Sequence, residues 1–241
     1  MKKSFFLLLA LIAFQFSVFS SQLMAETVPA TDSRVTFVGR TAVEGTTVSF
    51  DWTATYFRVA FAGKSLTMKA SDLKVGAADE AAAAKLHNYY AVWIDSPTSA
   101  EPHRIVEVKE GENLIELVDP NYLKKSRRSV HEVIVQKRTE GEQGRTTIYE
   151  FTTDGKFFQA TPLRERQLEF IGDSYTCGYG IDAPTKEEKF SPETENASRS
   201  YAAIVSRYFG ADYIAVAHSG MGMVRNYNSK FPKWNMPERY C

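Results

Sequence analysis

Alternation of apolar and polar residues runs through the first two thirds of this chain. Short segments between residues 34 and 158 repeat an apolar side chain at every second position, and Phe57, Val59 and Phe61 form one of them. A period of two is the repeat of a β-strand that buries one face. Short strands separated by turns are typical of two sheets packed face to face. We therefore predict an all-β sandwich over residues 26–162.

A change of composition follows this region. Residues 161–166 read Thr-Pro-Leu-Arg-Glu-Arg, and Pro162 cannot donate a hydrogen bond to a neighbouring strand. The charged residues favour a solvated connection, which is typical of domain junctions. We predict that a second, α/β unit occupies residues 163–241.

The second unit begins with an apolar run that ends abruptly. Leu168, Phe170 and Ile171 suit a buried strand, and Gly172-Asp173-Ser174 follows at once. A serine on a sharp turn after a strand is a candidate nucleophile, by the logic of the nucleophile elbow. The same tripeptide also fits an ordinary β-turn with a capping serine, and the local pattern leaves both interpretations open.

A helix and a second strand are predicted next. Ser198 or Asn196 can cap a helix that runs to Phe209, with Gly210 as its stop, and residues 213–217 read as a buried strand. The residues predicted on one apolar face of the helix are Tyr201, Ile204, Val205 and Tyr208.

Strand–helix–strand units carry parallel strands, so both strands deliver their carboxyl ends to one edge of the sheet. Ligands bind at that edge in α/β folds. We therefore expect Ser174 to meet the turn formed by His218, Ser219 and Gly220.

The amino terminus has the pattern of an export signal. Lys2 and Lys3 precede an apolar run from Phe5 to Phe19, and Ala25 suits a cleavage site. The run is shorter than the roughly 20 apolar residues that span a bilayer, which favours cleavage over a retained anchor. We predict a signal peptide over residues 1–25 and a secreted or periplasmic protein.

Charge and composition exclude several classes of partner. Removing residues 1–25 leaves 27 basic and 29 acidic residues, so no basic excess favours nucleic acid or an anionic membrane. Cys177 and Cys241 are too few for a disulfide framework. His87, His103 and His131 lack the spacing of metal ligands, and we predict neither a metal nor a cofactor.

The stretch from Phe170 to Gly180, F-I-G-D-S-Y-T-C-G-Y-G, resembles the first block of the SGNH (GDSL-type) hydrolases, and most closely carbohydrate esterase family 2. The resemblance covers nearly all of the chain after the signal. The other segments that carry it are residues 89–95, 131–140, 194–196, 200–202 and 219–222. It implies a jelly-roll-like β-sandwich followed by a three-layer SGNH domain, present here in part. It also implies a serine esterase that removes acetyl groups from plant polysaccharides such as xylan and glucomannan.

The resemblance also implies roles for individual residues. Ser174 is expected to be the nucleophile, and the backbone N–H groups of Ser174 and Gly220 the oxyanion donors. Asp173 and His218 are expected to form pocket wall, with His218 as the general base a less favoured alternative.

Two segments of the family pattern do not occur in this sequence. SGNH enzymes take their base from an Asp-x-x-His segment and a third oxyanion donor from a Gly-x-Asn-Asp block. We therefore expect an incomplete, inactive form of the enzyme. A carbohydrate-binding sandwich with a vestigial hydrolase segment, and an SGNH esterase acting on non-carbohydrate esters, remain alternatives.

Overall fold

The computed structural model of the protein describes residues 25–74, 84–118, 120–229 and 234–240. The strands in the described residues are β1 (Glu26–Pro29), β2 (Thr36–Val38), β3 (Ala42–Glu44), β4 (Thr47–Phe50), β5 (Tyr56–Ala62), β6 (Leu66–Leu73), β7 (Asn88–Ile94), β8 (Arg104–Val108), β9 (Gly111–Glu116), β10 (His131–Lys137), β11 (Arg145–Thr153), β12 (Lys156–Phe158), β13 (Gln167–Gly172) and β14 (Asp212–Ala217). The α-helices are α1 (Pro120–Leu123), α2 (Ser174–Cys177), α3 (Tyr201–Tyr208) and α4 (Met236–Tyr240).

The first twelve strands form the sandwich that the alternation predicts. Over the described residues, one six-stranded sheet has the order β3-β4-β11-β6-β9, with β1 also on β11, and the other has the order β12-β5-β10-β7-β8, with β2 on β5. The strands within each sheet are antiparallel. The core between the sheets takes alternate residues of both, such as Met68 and Phe151 from one sheet and Phe57 and Val133 from the other.

Strand β5 departs from the predicted pattern of one buried face. All residues from Tyr56 to Phe61 are buried, whereas the alternation predicts a solvated face. Phe57 belongs to the sandwich core, while Tyr56 belongs to a second apolar cluster on the other side of the sheet. The second sheet is therefore covered on both faces at β5.

The second cluster joins this sheet to the α/β part of the chain. Its members are Val38, Ala54, Tyr56, Ala197, Ala202, Ala203, Tyr213 and Ala215. Beside it, Arg58 forms a buried ion pair with Asp212, which also accepts from the Tyr56 hydroxyl at 2.7 Å and the Arg164 N–H at 2.8 Å. Burial alone would raise the pKa of Asp212, but the hydrogen bonds from Arg58, Arg164 and Tyr56 outweigh it and hold the pKa below its usual value.

Strands β13 and β14 pair in parallel, as predicted. The register runs from Gln167 opposite Asp212 to Gly172 opposite Ala217, and α3 lies between the two strands in the chain. Pro162 falls between β12 and β13, where the junction is predicted. That residues 26–162 and 163–241 are separate domains stays a prediction.

The predicted cap and apolar face of the helix are wrong. Ser200 is the N-cap of α3, and Asn196 instead caps the short 3-10 turn Ala197–Arg199. Tyr201, Ile204 and Tyr208 are exposed. The buried residues of the helix are Ala202, Ala203 and Ser206. Their small side chains allow the helix backbone to approach the apolar cluster closely, which a count of large apolar residues does not detect.

The predicted signal peptide lies outside the described residues, which begin at Ala25. Within the described part of the chain, no helix combines the length and the apolar character that crossing a membrane requires.

Candidate active site

The turn after β13 presents Ser174 at the start of α2. The Asp173 carboxylate caps this helix by accepting from the Tyr175 N–H at 3.2 Å, so Asp173 fixes the turn. A Cβ on Gly172 would lie 2.1 Å from Thr176 Oγ1, so the chain reverses here only with glycine. Ser174 is half-buried at the carboxyl end of the strand.

The turn after β14 lies at the same edge of the sheet. His218 N–H donates to the Gly172 carbonyl at 3.3 Å, which extends the strand pairing to the two turns. Met221 N–H donates to the His218 carbonyl at 3.1 Å, and Gly220 has a φ of +74° inside the turn. The structure thus brings Ser174 and the His218–Gly220 turn to one edge, as the parallel arrangement predicts.

The backbone N–H groups of Ser174 and Gly220 have no hydrogen-bond acceptor among the residues that the structure describes. The first N–H groups of a helix have no partner within the helix, so the Ser174 N–H is available to a ligand. Free backbone donors at the edge that carries the Ser174 hydroxyl are the groups that an oxyanion site requires.

His218 lies at this edge, and both of its ring nitrogens contact groups other than the serine. The buried ring donates from Nδ1 to the Ser219 carbonyl at 3.0 Å, and Nε2 lies 3.4 Å from Glu142 Oε1. Among the described residues, no hydrogen bond joins His218 to Ser174. The pocket-wall role of His218 stays a prediction, and so does its less favoured alternative as general base.

A cleft of about 330 Å³ opens beside the serine turn. Asp173 lines it together with Tyr175, Tyr201 and Met221, whereas Ser174, Gly220 and His218 are not among its lining residues. Asp173 thus borders a cavity, and its role as pocket wall stays a prediction.

Three buried side chains behind the two turns were not predicted from the sequence. Glu140 follows β10, Cys177 ends α2 and Glu195 precedes the 3-10 turn Ala197–Arg199; their side-chain atoms lie within 4.8 Å of one another. Ser219 N–H donates to Glu140 Oε2 at 2.6 Å, and the Cys177 thiol donates to the same oxygen at 3.8 Å. Cys177 is a buried free thiol.

Burial controls the protonation of this group. It raises the pKa of Glu195 to about 9, with the Glu140 carboxylate as the next cause, and raises the pKa of Cys177 well above its usual value. Burial also lowers the pKa of Lys137, whose Nζ contacts the Glu140 carbonyl, to about 8. Glu195 and Cys177 are consequently uncharged at pH 7.

A serine turn and a glycine turn at the carboxyl edge of paired parallel strands define a candidate site of the serine hydrolase class. The family model described as the N-terminal region of carbohydrate esterase 2 matches residues 37–162. The chain belongs to carbohydrate esterase family 2.

Similar proteins agree with this family. A cellulase/esterase, CelE, from Acetivibrio thermocellus is 42% identical over 98 residues, which cover 40% of this chain and 12% of that protein. An acetylxylan esterase / glucomannan deacetylase from Cellvibrio japonicus is 32% identical over 197 residues, which cover 80% of this chain and 48% of that protein.

A solved family two carbohydrate esterase from Clostridium thermocellum, in complex with cellohexaose, superposes with a TM-score of 0.72 at 26% identity. The match covers 86% of this chain and 57% of that one. The chain spans about half the length of the Cellvibrio relative and of this solved structure.

Proposed function

We propose that this chain belongs to a serine esterase that removes O-acetyl groups from plant polysaccharides such as xylan and glucomannan. The observation that carries the proposal is the meeting of Ser174 with the unpaired N–H groups of Ser174 and Gly220 at one sheet edge. The Cellvibrio relative, named an acetylxylan esterase / glucomannan deacetylase, supports the acetylated substrate.

The proposed reaction follows from these positions. Ser174 Oγ attacks the acetyl carbonyl carbon while its proton passes to a general base, and the two N–H groups stabilise the negative oxygen that forms. The bond between the acetyl carbon and the sugar oxygen breaks, the base returns the proton to that oxygen to give the sugar hydroxyl, and acetyl remains on Ser174. Water then hydrolyses this ester, releases acetate and restores the serine.

The base is the missing element of this scheme. His218 Nδ1 donates to the Ser219 carbonyl, and His218 Nε2 lies 3.4 Å from Glu142 Oε1. The sequence contains no Asp-x-x-His segment. A serine without a base in reach is a poor nucleophile at neutral pH. We therefore propose that residues 26–241 alone turn over acetyl esters very slowly or not at all.

Acetate release from acetylated xylan tests the proposal. Residues 26–241 are compared with the longest reading frame that contains them, each with and without Ser174→Ala. The proposal expects little release from residues 26–241 and release from the longer form that Ser174→Ala abolishes. Equal activity of the serine variant and its parent would reject the nucleophile. Preference for long-chain aryl esters over acetylated xylan would instead favour an esterase of non-carbohydrate substrates.

A second function is binding without catalysis. Among the residues that the structure describes, no histidine is hydrogen-bonded to Ser174, which favours this function, and the solved relative from Clostridium was determined with cellohexaose. Calorimetric titration of residues 26–241 with cello- and xylo-oligosaccharides distinguishes the two: binding without acetate release in any longer form supports the binding module.

Export is proposed from the sequence pattern of residues 1–25. We propose cleavage near Ala25 and a secreted or periplasmic location. N-terminal sequencing of the protein from its native host is the test, and an intact Met1 in the membrane fraction would contradict it.

A further inference from the structure

A single carboxylate oxygen touches both turns of the candidate site. Glu140 Oε2 accepts the Ser219 N–H at 2.6 Å and the Cys177 thiol at 3.8 Å. Cys177 ends the short helix that begins at Ser174, and Ser219 immediately precedes Gly220. Glu140 therefore links the segment of the proposed nucleophile to the segment of the proposed oxyanion donor.

Glu140 itself is held on both sides by buried groups. Lys137 Nζ donates to the Glu140 carbonyl at 2.9 Å, and the Glu140 N–H donates to Glu195 Oε2 at 3.0 Å. Arg138 Nε donates to the Glu195 carbonyl at 3.3 Å, which ties that partner to the end of β10. The Glu140 side chain is 1% exposed and extends from a fixed backbone.

The surroundings of Glu140 suit a carboxylate that accepts hydrogen bonds. The groups that face it are Cys177, Glu195, His218, whose Nδ1 lies 3.9 Å from Oε2, and Lys137 on β10. Glu195 and Cys177 are uncharged at pH 7, so neither repels it. The distance of 2.6 Å from Ser219 N to Glu140 Oε2 is short for an N–H···O hydrogen bond.

We propose that Glu140 is a positioning residue that sets the distance between Ser174 and the Gly220 N–H. The inference rests on the proposed function and adds to it a residue from the sandwich part of the chain. Oxyanion donors act through preorganisation, and a displacement of about 1 Å can cost about 10² in rate. Glu140 restrains the peptide next to that donor without touching the substrate.

Amide hydrogen exchange of residues 26–241, followed by NMR, tests the contact independently of catalysis. Glu140→Gln keeps the side-chain shape and removes the charge. We expect exchange of the Ser219 N–H to become about 10- to 100-fold faster. The reason is that the amide of Glu140→Gln accepts the Ser219 N–H more weakly than the carboxylate does. Asp95→Asn is the matched control, because the Asp95 carboxylate is also buried and accepts a backbone N–H, from Glu132 at 3.0 Å, but lies at the opposite end of β10 from Glu140.

The exchange result decides the proposal in every case. Faster exchange at Ser219 in Glu140→Gln but not in Asp95→Asn supports it. Unchanged exchange in Glu140→Gln, or an equal increase in both variants, overturns it. If Glu140→Gln does not fold, Glu140→Asp keeps the charge but withdraws it by one methylene, and the same local increase is expected. If neither folds, Glu140 acts on overall stability and the positioning role is rejected.

An activity measurement adds the catalytic consequence. In the form of the protein that hydrolyses acetyl esters, Glu140→Gln is expected to lower kcat about 10²-fold with little change in KM, because only the transition state uses the oxyanion donor. Asp95→Asn is expected to leave both kcat and KM unchanged. If no form with Ser174 intact releases acetate, the proposed function fails, while the exchange data still decide whether Glu140 holds the turn.

Discussion

Arg58 and Asp212 form an ion pair that is buried on both sides and joins the sandwich to β14. The two side chains are 4% and 1% exposed, and Asp212 is the first residue of β14. Because β14 ends next to the His218–Gly220 turn, this pair fixes one end of the strand whose other end leads into the candidate site.

Loss of Arg58 is expected to destabilise the protein strongly. Arg58→Met leaves the Asp212 carboxylate buried without its cation, and removal of one partner of a buried pair typically costs about 3–5 kcal/mol. The denaturant midpoint measures the loss. Arg104→Met is the control, because Arg104 and Glu116 form a largely exposed pair at 3.6 Å worth about 0–1 kcal/mol. Similar midpoints for the two variants would contradict the prediction.

Glu195 is expected to make stability fall as the pH rises. Burial raises its pKa to about 9 in the folded protein, against 4.5 as its ordinary value. Between these values the folded state holds a proton that the unfolded state loses, so this contribution to stability is present below about pH 4.5 and declines toward pH 9. Glu195→Gln should flatten the decline.

Urea midpoints at pH 5 and pH 7.5 measure this effect. Both pH values lie below the pKa of Lys137, which burial lowers to about 8. The main part of the Lys137 titration therefore falls outside the measured pH range. The other groups that face Glu195 are Glu140 and Glu142. Glu188→Gln removes an exposed carboxylate and serves as control. An equal pH dependence in the parent and Glu195→Gln would show that Glu195 ionises normally in the fold.

Gly220→Ala is expected to reduce activity more than stability. A Cβ there would find its nearest neighbour, Tyr227 Cβ, at 3.6 Å, so space is available, but the φ of +74° costs a side chain about 1–2 kcal/mol. Displacement of the donor is expected to lower kcat by about 10²–10³ in the catalytic form. Gly178→Ala is the contrast, because its Cβ would lie 2.3 Å from the Asn196 carbonyl oxygen and disrupt folding. Full activity in Gly220→Ala would remove Gly220 from the oxyanion site.

Residues 26–162 are expected to fold alone. The main core lies wholly between the two sheets of the sandwich, so it remains complete in this segment. The transition temperature should lie below that of residues 26–241, since Tyr56 and Val38 lose the partners of the second cluster. Circular dichroism during heating shows whether residues 26–162 unfold cooperatively and gives their transition temperature. A gradual, non-cooperative loss of signal would contradict the prediction.

Local periodicity predicts where the strands lie, but it does not predict whether the face opposite the core is also buried. Val133 and Val135 alternate and are buried as expected, and the run from Leu168 to Ile171 forms a strand. The two-residue repeat predicts that one face of β5 is solvated, because the sequence around Phe57 does not reveal that another part of the chain covers that face. The same limit explains why α3 buries alanines rather than its larger residues.

The candidate site was likewise predicted from the sequence only in part. The turn at Ser174 and the glycine at position 220 follow from strand ends and turn residues, which are local signals. Glu140 and Glu195 carry no such signal, because each appears as an ordinary polar residue in a charged segment. Only the packing of the two parts of the chain brings Glu140 against Ser219, 79 residues away.

The place of this contact in the fold has a consequence for the order of folding. The sandwich closes contacts over longer separations, such as that of Glu26 with Thr153, but these are stabilised by its own core. The Glu140–Ser219 contact instead requires that β14 and its turn pack against the sheet that carries Glu140. We therefore expect the candidate site to be completed after the sandwich, at the last stage of folding.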